Sequence, residues 1–384
     1  MNKKILVFNA GSSSLKFKLF EIDNLEFKLI KKGMVDNIGK SGGPKNHKDA
    51  LALLFQGFGF GEPSLAKIEN LTAIGHRVVH GGDEFNKPTL LNKEIVNELK
   101  NYNLIAPLHN PKIIEVIEDT LAHSGQKGHR DIPNYAIFDS SYFNDLPLVT
   151  KLYPLPYEYY SEHKIKRFGF HGISHKYAVK TVEKLHPNAK KIISIHLGAG
   201  CSMAAIKDDM PIDTSMGFTP LEGLMMGTRS GDIDAGIIHY LIEKKIIKHN
   251  NVDQVLNFES GLLGISGIDS DMRELLHIVG YNMEDKEYSA HTHVKYLEKE
   301  KIERAKLAID MFVYRIKKYI GAYTAILGGC DVLVFTGRMA TGSSVIRKLI
   351  VKDMQATLLN SAIEIIESDE EQQIAEDILK IIGE

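Results

Sequence analysis

A strand–turn–strand pattern occurs twice in this chain, far apart, and the echo limits the architectures open to it. Lys3-Lys4 lead into the apolar run Ile5-Leu6-Val7-Phe8, then Ala10-Gly11-Ser12-Ser13, then a second strand over residues 15–20. Lys190-Lys191 lead into Ile192-Ile193-Ser194-Ile195, then Gly198-Ala199-Gly200-Cys201-Ser202, then a second strand over 203–206. Each reads as a β-hairpin closed by a Gly/Ser turn. Leu15, Phe17 and Leu19 alternate with Lys16 and Lys18, which gives the first hairpin one buried and one wet face. Two such units in separate halves suggest a duplicated domain; taken alone, the echo is equally open to chance recurrence in an α/β chain.

Helical segments fill the intervals. Asn110 and Pro111 stand where an N-cap and first helical residue belong, with Ile113, Ile114, Ile117 and Leu121 on one face and Gly125 beyond the end. Ser174 is expected to cap another helix, and Asp232 or Asp234 a third. Residues 298–327 read as one long helix, or two, with Ala305, Ala308, Phe312, Ile316 and Ile320 inward, and Gly328-Gly329 after it. Ser368 with Glu371 three residues on forms a capping box for the last helix. Strands alternating with helices make the class α/β. At 384 residues the chain is too long for one ordinary core and suits two domains. Lys plus Arg, 47, nearly balance Asp plus Glu, 49, which argues against a nucleic-acid or anionic-membrane partner. No apolar run reaches the roughly 20 residues of a membrane span, the apolar stretch after Lys4 is too short for a signal peptide, and Cys201 and Cys330 form no CxxC pair. A reducing cytoplasm is the simplest expected home.

The chemistry-bearing residues cluster. Three strand-to-loop junctions are rich in Gly and small hydroxyls, so that backbone N–H groups can close on phosphate oxygens. None is a Walker A loop or a GxGxxG opening a helix. Gly75-His76-Arg77-Val78-Val79-His80-Gly81-Gly82, Phe168-Gly169-Phe170-His171-Gly172 and Thr219-Pro220-Leu221-Glu222-Gly223, running on to Gly227-Thr228-Arg229-Ser230-Gly231-Asp232, place Arg and His among glycines. An arginine fork suits carboxylate or phosphate; a structural ion pair is the competing use. His80 reads as a hydrogen-bonded core histidine. No zinc-ligand spacing occurs, and His291 and His293 lie in a polar stretch that reads as exposed.

These motifs carry a resemblance. Val7-Phe8-Asn9-Ala10-Gly11-Ser12-Ser13-Ser14-Leu15-Lys16-Phe17, the stretch 76–82, Ala106-Pro107-Leu108-His109-Asn110-Pro111, Phe138-Asp139, residues 169–175 and Asp213-Thr214-Ser215-Met216-Gly217 on to Asp232 resemble the acetate-kinase (acetokinase) family over nearly the whole chain. The resemblance implies the actin/Hsp70/sugar-kinase superfamily fold: two duplicated ribonuclease-H-like (actin-like ATPase) domains with a cleft between them, here 1–138 and a nucleotide-binding 139–370, with the helix from about 371 to 384 packing back on the first. It implies reversible phosphoryl transfer between ATP/ADP and acetate/acetyl phosphate, a Mg²⁺ ion for which Mn²⁺ can substitute, and a homodimer.

Position by position, the resemblance puts Asn9 at the metal and phosphate end and Lys16 near the nucleotide phosphates. Arg77 and Arg229 would grip the carboxylate and the transferring phosphoryl group, Asp139 is the family's proton donor or acceptor, and His171 would stabilise the transition state. His196, Leu197, Gly198, Ala199 and Gly200 would form a phosphate loop, while Asp271, Met272 and Arg273 line the adenosine side. Val79, Leu108, Phe170 and Pro220 would surround the acetate methyl. Glu370 falls at the family's late metal-linked glutamate; an acid in a helix's first turn also stabilises that helix unaided. Where the family continues after Thr336 with a Gly-Ile-Gly-Glu-Asn loop on the adenosine, this chain has Arg338, Met339, Ala340, Thr341 and Gly342, and Ala199 stands where asparagine is common. The departures touch the donor side, so pyrophosphate or GTP as donor stays open, as do propionate or butyrate as acceptor and a nucleotide-binding relative without catalysis.

Overall fold

The computed structural model describes residues 2–11, 13–57, 68, 70–106, 109–124, 131–281, 290–292 and 294–383. Ser12, Pro107, Leu108, Gly125 and His293 lie outside them. The chain divides into two compact units: Met1–Asn144 with Phe170–Ile173 and Asp369–Glu384, and Asp145–Gly169 with Ser174–Ser368. Among the described residues no helix is long and apolar enough to cross a membrane, and both cysteines are free and buried.

The first unit is built on a six-stranded sheet. Its strands are β1 (Lys3–Ala10), β2 (Leu15–Asp23), β3 (Glu26–Val35), β4 (Leu71–Val78), β5 (Thr89–Leu90) and β6 (Asn134–Phe138), in the order β3-β2-β1-β4-β6-β5. β1 to β3 form an antiparallel meander, whereas β1, β4 and β6 run parallel. The alternation read in β2 holds: Leu15, Phe17 and Leu19 are buried, and Lys16 is exposed. β1, covered on both faces, is a continuous buried run from Ile5 to Ala10, as a strand interior to a sandwiched sheet requires. One face carries the helix Glu370–Ile382, whose Ile374, Ala375 and Ile378 pack with Ile5, Val7, Phe20 and Ile137. That helix approaches so closely that a Cβ on Gly75 would stand 2.6 Å from the Ile378 side chain. The helix Asn110–Ser124 buries Ile113, Ile114 and Ile117, and its Thr120 hydroxyl reaches His76 of β4.

The second unit repeats the plan. β7 (Lys191–Leu197), β8 (Cys201–Lys207), β9 (Met210–Thr214), β10 (Val332–Thr336) and β11 (Ala362–Ile365) lie in the order β11-β10-β7-β8-β9. β7 to β9 form the antiparallel meander and β7, β10 and β11 run parallel. In each sheet the meander's third, second and first strands are followed by two parallel ones, so the echo in the sequence is a shared strand order. The helix Lys299–Leu327 buries Ala305, Ala308, Ile309, Phe312, Ile316, Ile320, Tyr323 and Leu327 at helical spacing and ends on the left-handed Gly328.

Four local expectations need correction, the first at Asn110, which is the opening residue of its helix and bonds the His80 backbone with its side chain instead of capping. The last helix is capped by Asp369, whose carboxylate accepts from the Gln372 amide at 2.8 Å, one residue later than Ser368. Asp369 also pairs with Lys18 at 2.7 Å, so the register that keeps that ion pair prevails. Ser174 is not a cap: its helix already begins at Gly172, and the hydroxyl is hydrogen-bonded to His196 Nδ1 at 2.8 Å. Residues Arg338–Gly342, read as a loop, form a short helix instead. Asp234, of the two aspartates considered, caps the helix Ala235–Glu243.

Candidate functional site

Parallel strands place their carboxyl ends side by side, and loops at such ends are where α/β sheets bind ligands. In the first unit Asn9 sits near the end of β1, Arg77 near the end of β4, and Asp139 directly after β6. The register Phe8↔His76 and Val78↔Phe138 sets these ends level. Arg77 Nε donates to both Asp139 oxygens at 3.1 and 3.2 Å and Nη2 donates to Oδ2 at 2.8 Å. Its Nη1 donates to Asn9 Oδ1 at 3.3 Å, and Asn9 Nδ2 donates to Glu371 Oε1 at 2.7 Å. Lys18 closes the chain on Glu371 and Asp369. Asp139 is fully buried, and burial pushes its carboxyl upward while Arg77 pulls it down and Glu370 adds to the rise. Burial likewise opposes the Arg77 charge, but Asp139, Glu370 and Glu371 together lift the guanidinium above its ordinary value.

His171 lies against this centre. A Cβ on the adjacent Gly172 would stand 2.0 Å from the Asp139 carbonyl oxygen, so only glycine allows the approach, and the Ile173 amide donates to the Asp139 carboxylate. His171 itself is held at φ +56, a conformation costly for a side-chain-bearing residue. Val79 and Phe170 are buried. His80 is the core histidine expected: its Nδ1 accepts from the Gly82 amide at 2.8 Å, and its ring stacks on Tyr102 and meets Phe170 edge-on. Lys16 is exposed, and Lys18 two residues on is the lysine engaged by carboxylates. Glu370 acts on both Arg77 and Asp139 through its charge.

The second unit holds a cavity of about 260 Å³ lined by three segments: Gly198 and Ala199, residues 270–273, and Arg338, Met339, Gly342 and Ser343. His196, Leu197, Gly200, Ala340 and Thr341 are not on its lining. Asp271 caps the helix Met272–Val279 and is clasped by Arg273, with Nη2 to Oδ2 at 2.7 Å. Burial works against the Asp271 carboxylate, but the Arg273 hydrogen bonds and the Arg338 charge hold its pKa below the usual range. Arg229 donates to the Pro220 carbonyl oxygen at 3.1 Å. Burial draws its pKa down, so an anion beside it would be favoured. His291 is largely exposed, as expected, yet pairs with Asp269 and Glu274.

A buried network behind residues 198–200 escaped the sequence reading. His175 bridges Ser194 on β7 and Ser202 on β8, both at 2.8 Å, while Ser174 holds His196. The sequence shows its members, Ser174 and His175 in the stretch 169–175 and Ser194, His196 and Ser202 in the second hairpin, but no local spacing joins them. Among the described residues no group of three His, Cys, Asp or Glu forms a ready metal cage. The first unit nevertheless sets four carboxylates, Asp139, Asp369, Glu370 and Glu371, against two cations, Arg77 and Lys18. This surplus of hard oxygen donors and negative charge suits a Mg²⁺ ion that keeps most of its water.

Residues 4–375 match the model of the acetokinase family. An acetate kinase of Bacteroides thetaiotaomicron is 39% identical over 377 residues, covering 92% of this chain and 87% of that one. Among solved structures, an acetate kinase of Porphyromonas gingivalis aligns with TM-score 0.79 at 32% identity, covering 99% of this chain and all of that one. A propionate kinase of Francisella tularensis aligns with TM-score 0.81 at 32% identity, covering 98% of each. The duplicated α/β sheets and these likenesses define a kinase that transfers phosphate to a carboxylate. The chain belongs to the acetokinase family.

Proposed function

We propose that this chain catalyses reversible, Mg²⁺-dependent transfer of the γ-phosphoryl group of ATP to acetate, giving acetyl phosphate and ADP. The observation that carries the reading is the Arg77 guanidinium, locked by three hydrogen bonds to Asp139 and braced by Asn9. A fork pinned on one edge offers its remaining N–H groups to an anion in one orientation, with little left to reorganise. The family match supplies the class of reaction, and the cavity at Asp271 and Arg273 offers a site for the nucleoside.

Acetate has a pKa of about 4 to 5 and is already an anion near neutrality. One carboxylate oxygen attacks the γ-phosphorus as the bond to the β-phosphate oxygen breaks and ADP leaves. No proton moves, so no general base is needed. Asp139 therefore acts by orienting Arg77 toward the carboxylate and the equatorial phosphoryl oxygens, and Arg229 offers a second guanidinium to an anion. His171 stabilises the charge that develops there, and residues 196–200 supply amides to the phosphates. Val79 and Phe170, both buried, accommodate the acetate methyl. Asn9, Asp139 and Glu370 would hold Mg²⁺, which when bound neutralises phosphate charge.

The working molecule is proposed to be a homodimer, because the helix Ala235–Glu243 is strongly apolar, AGIIHYLIE, yet none of its residues is buried. The activity test is a hydroxamate assay for acyl phosphate with acetate, propionate and butyrate, each with ATP, GTP or pyrophosphate. Acetyl phosphate from acetate and ATP, abolished by EDTA and restored by Mg²⁺, is expected. No product with any pair would overturn the reading.

A further inference from the structure

We propose that Arg347 is a positioning residue for the nucleotide: it stands outside the cavity and fixes one of its walls. The inference rests on reading that cavity as the nucleotide site. The wall is the short helix Arg338–Gly342, of which Arg338, Met339 and Gly342 face the cavity. Five residues make barely more than one turn, so such a helix has almost no internal stability and must be held from outside.

Its start is held by the backbone. The helix leaves β10 through Gly337 at φ +84, where a Cβ would stand 2.5 Å from the Leu197 carbonyl oxygen. Thr341 returns both its amide and its hydroxyl to the Gly337 carbonyl oxygen, at 2.9 and 3.2 Å. Its end is held by Arg347. From the following helix, Ser344–Val351, Arg347 Nη1 donates to the carbonyl oxygens of Ala340 and of Thr341, the latter at 3.0 Å. A guanidinium there supplies donors to the last carbonyls and a charge of the sign the helix C-terminus favours.

The clamp spans the corner that lines the cavity. Gly342 ends the first helix and Ser343 joins it to the second, both on the cavity wall, and Ser343 caps the second helix through the Ile346 amide at 3.3 Å. Arg347 is itself absent from the lining. Across the cavity, the Arg338 charge helps hold down the Asp271 carboxylate, so a shift of this helix is felt on the opposite wall. Arg77 and Asp139 belong to the other unit. Loss of the clamp is therefore expected to weaken nucleotide binding while sparing acetate.

The experiment measures ADP affinity by calorimetry, together with kcat and both KM values, for wild type, Arg347→Gln, Arg347→Lys and Gly342→Phe. Gly342 lines the cavity and a Cβ there meets nothing within 4 Å, so a phenyl group can be added at this wall without a backbone clash. Gly342→Phe is expected to abolish ADP binding. Arg347→Gln is expected to weaken ADP and raise KM for ATP roughly five- to tenfold, with acetate KM and saturated kcat within about twofold of wild type. Arg347→Lys, keeping the charge but not the planar fork, is expected to lose roughly two- to threefold. Unchanged ADP affinity in both Arg347 variants, beside lost binding in Gly342→Phe, overturns the inference and leaves the cavity reading standing. Unchanged ADP affinity in Gly342→Phe overturns the cavity reading itself. A parallel loss in kcat or acetate KM would mark Arg347 as merely structural and also overturn the proposal. Should Arg347→Gln not fold, Arg347→Lys decides, and wild-type ADP affinity there counts against the clamp.

Discussion

Arg77 and Asp139 form a buried ion pair, and such pairs are costly to break from one side, because the survivor is left as an uncompensated charge. Asp139 is fully buried and Arg77 gives it three hydrogen bonds. Asp139→Asn keeps the shape but removes the charge, and a neutral amide can turn an N–H toward the guanidinium. The structural cost is expected to be about 3 kcal/mol. If the carboxylate orients Arg77, kcat should fall on the order of 100-fold, about 2.7 kcal/mol of barrier, with the loss the same across pH because no proton is being taken. Steady-state kinetics from pH 6 to 9 at saturating acetate and MgATP checks this. Near wild-type kcat would eliminate both the orienting and the base role; recovery of rate toward high pH would favour a base. His171 stands beside this pair with a left-handed backbone, next to the close approach of Gly172 to Asp139.

Among the secondary elements, the strands carry a pH liability in their buried histidines. His76 on β4 donates from Nε2 to Asn134 Oδ1 on β6 at 2.8 Å, and burial takes its pKa down to about 4. His175, between β7 and β8, is also held well below the ordinary value by burial, with His196 adding to the effect. Both groups fold as the neutral form. Above the unfolded value near 6.5 they stay neutral in either state and the stability is intact. As pH falls from there toward 4 the unfolded chain takes up protons that the folded chain refuses. The slope reaches about 1.4 kcal/mol per pH unit for each histidine, or roughly 3 kcal/mol in all for His76. The urea midpoint should therefore drop between pH 7.5 and 5, and less steeply in His76→Gln; equal midpoints at the two pH values would refute the assignment. These elements also mark what the sequence made legible. Apolar runs and glycine turns sufficed for both hairpins, with alternation in β2, and helical spacing for the stretch that forms the helix Lys299–Leu327, because their signals are local. Ser174 and Ser368 misled because a hydroxyl near a helix start can serve a distant partner, here His196, or be outbid by a neighbour such as Asp369. The His175 bridge and the Arg347 clamp were illegible, since each joins elements whose proximity only the folded sheet creates.

Over the whole molecule, one strand order serves two chemistries. The first sheet ends its parallel strands in charge, with Asn9, Arg77 and Asp139. The second ends them in small residues and a cavity, at Gly198, Ala199 and the turn after Gly337. Duplication provides the shared frame, and the loops make the difference, which is why the family motifs could be read while the Arg338–Gly342 wall could not. What the single chain leaves unfinished is the helix Ala235–Glu243. Nine residues are too few for a helix to persist in water on propensity alone, and this one exposes Ile237 and Tyr240 at 45% and 57%, beside Ile233 at 40%. A two-fold axis would let the patch cover its own copy, removing apolar surface worth about 25 cal/mol per Å². The chain is expected to run as a dimer in sedimentation at micromolar concentration. Ile237→Glu with Tyr240→Glu should shift it to monomer while the circular dichroism of the two sheets is retained. A monomeric wild type, or a double variant that still sediments as a dimer, would assign this helix to some other partner and remove it as the subunit contact.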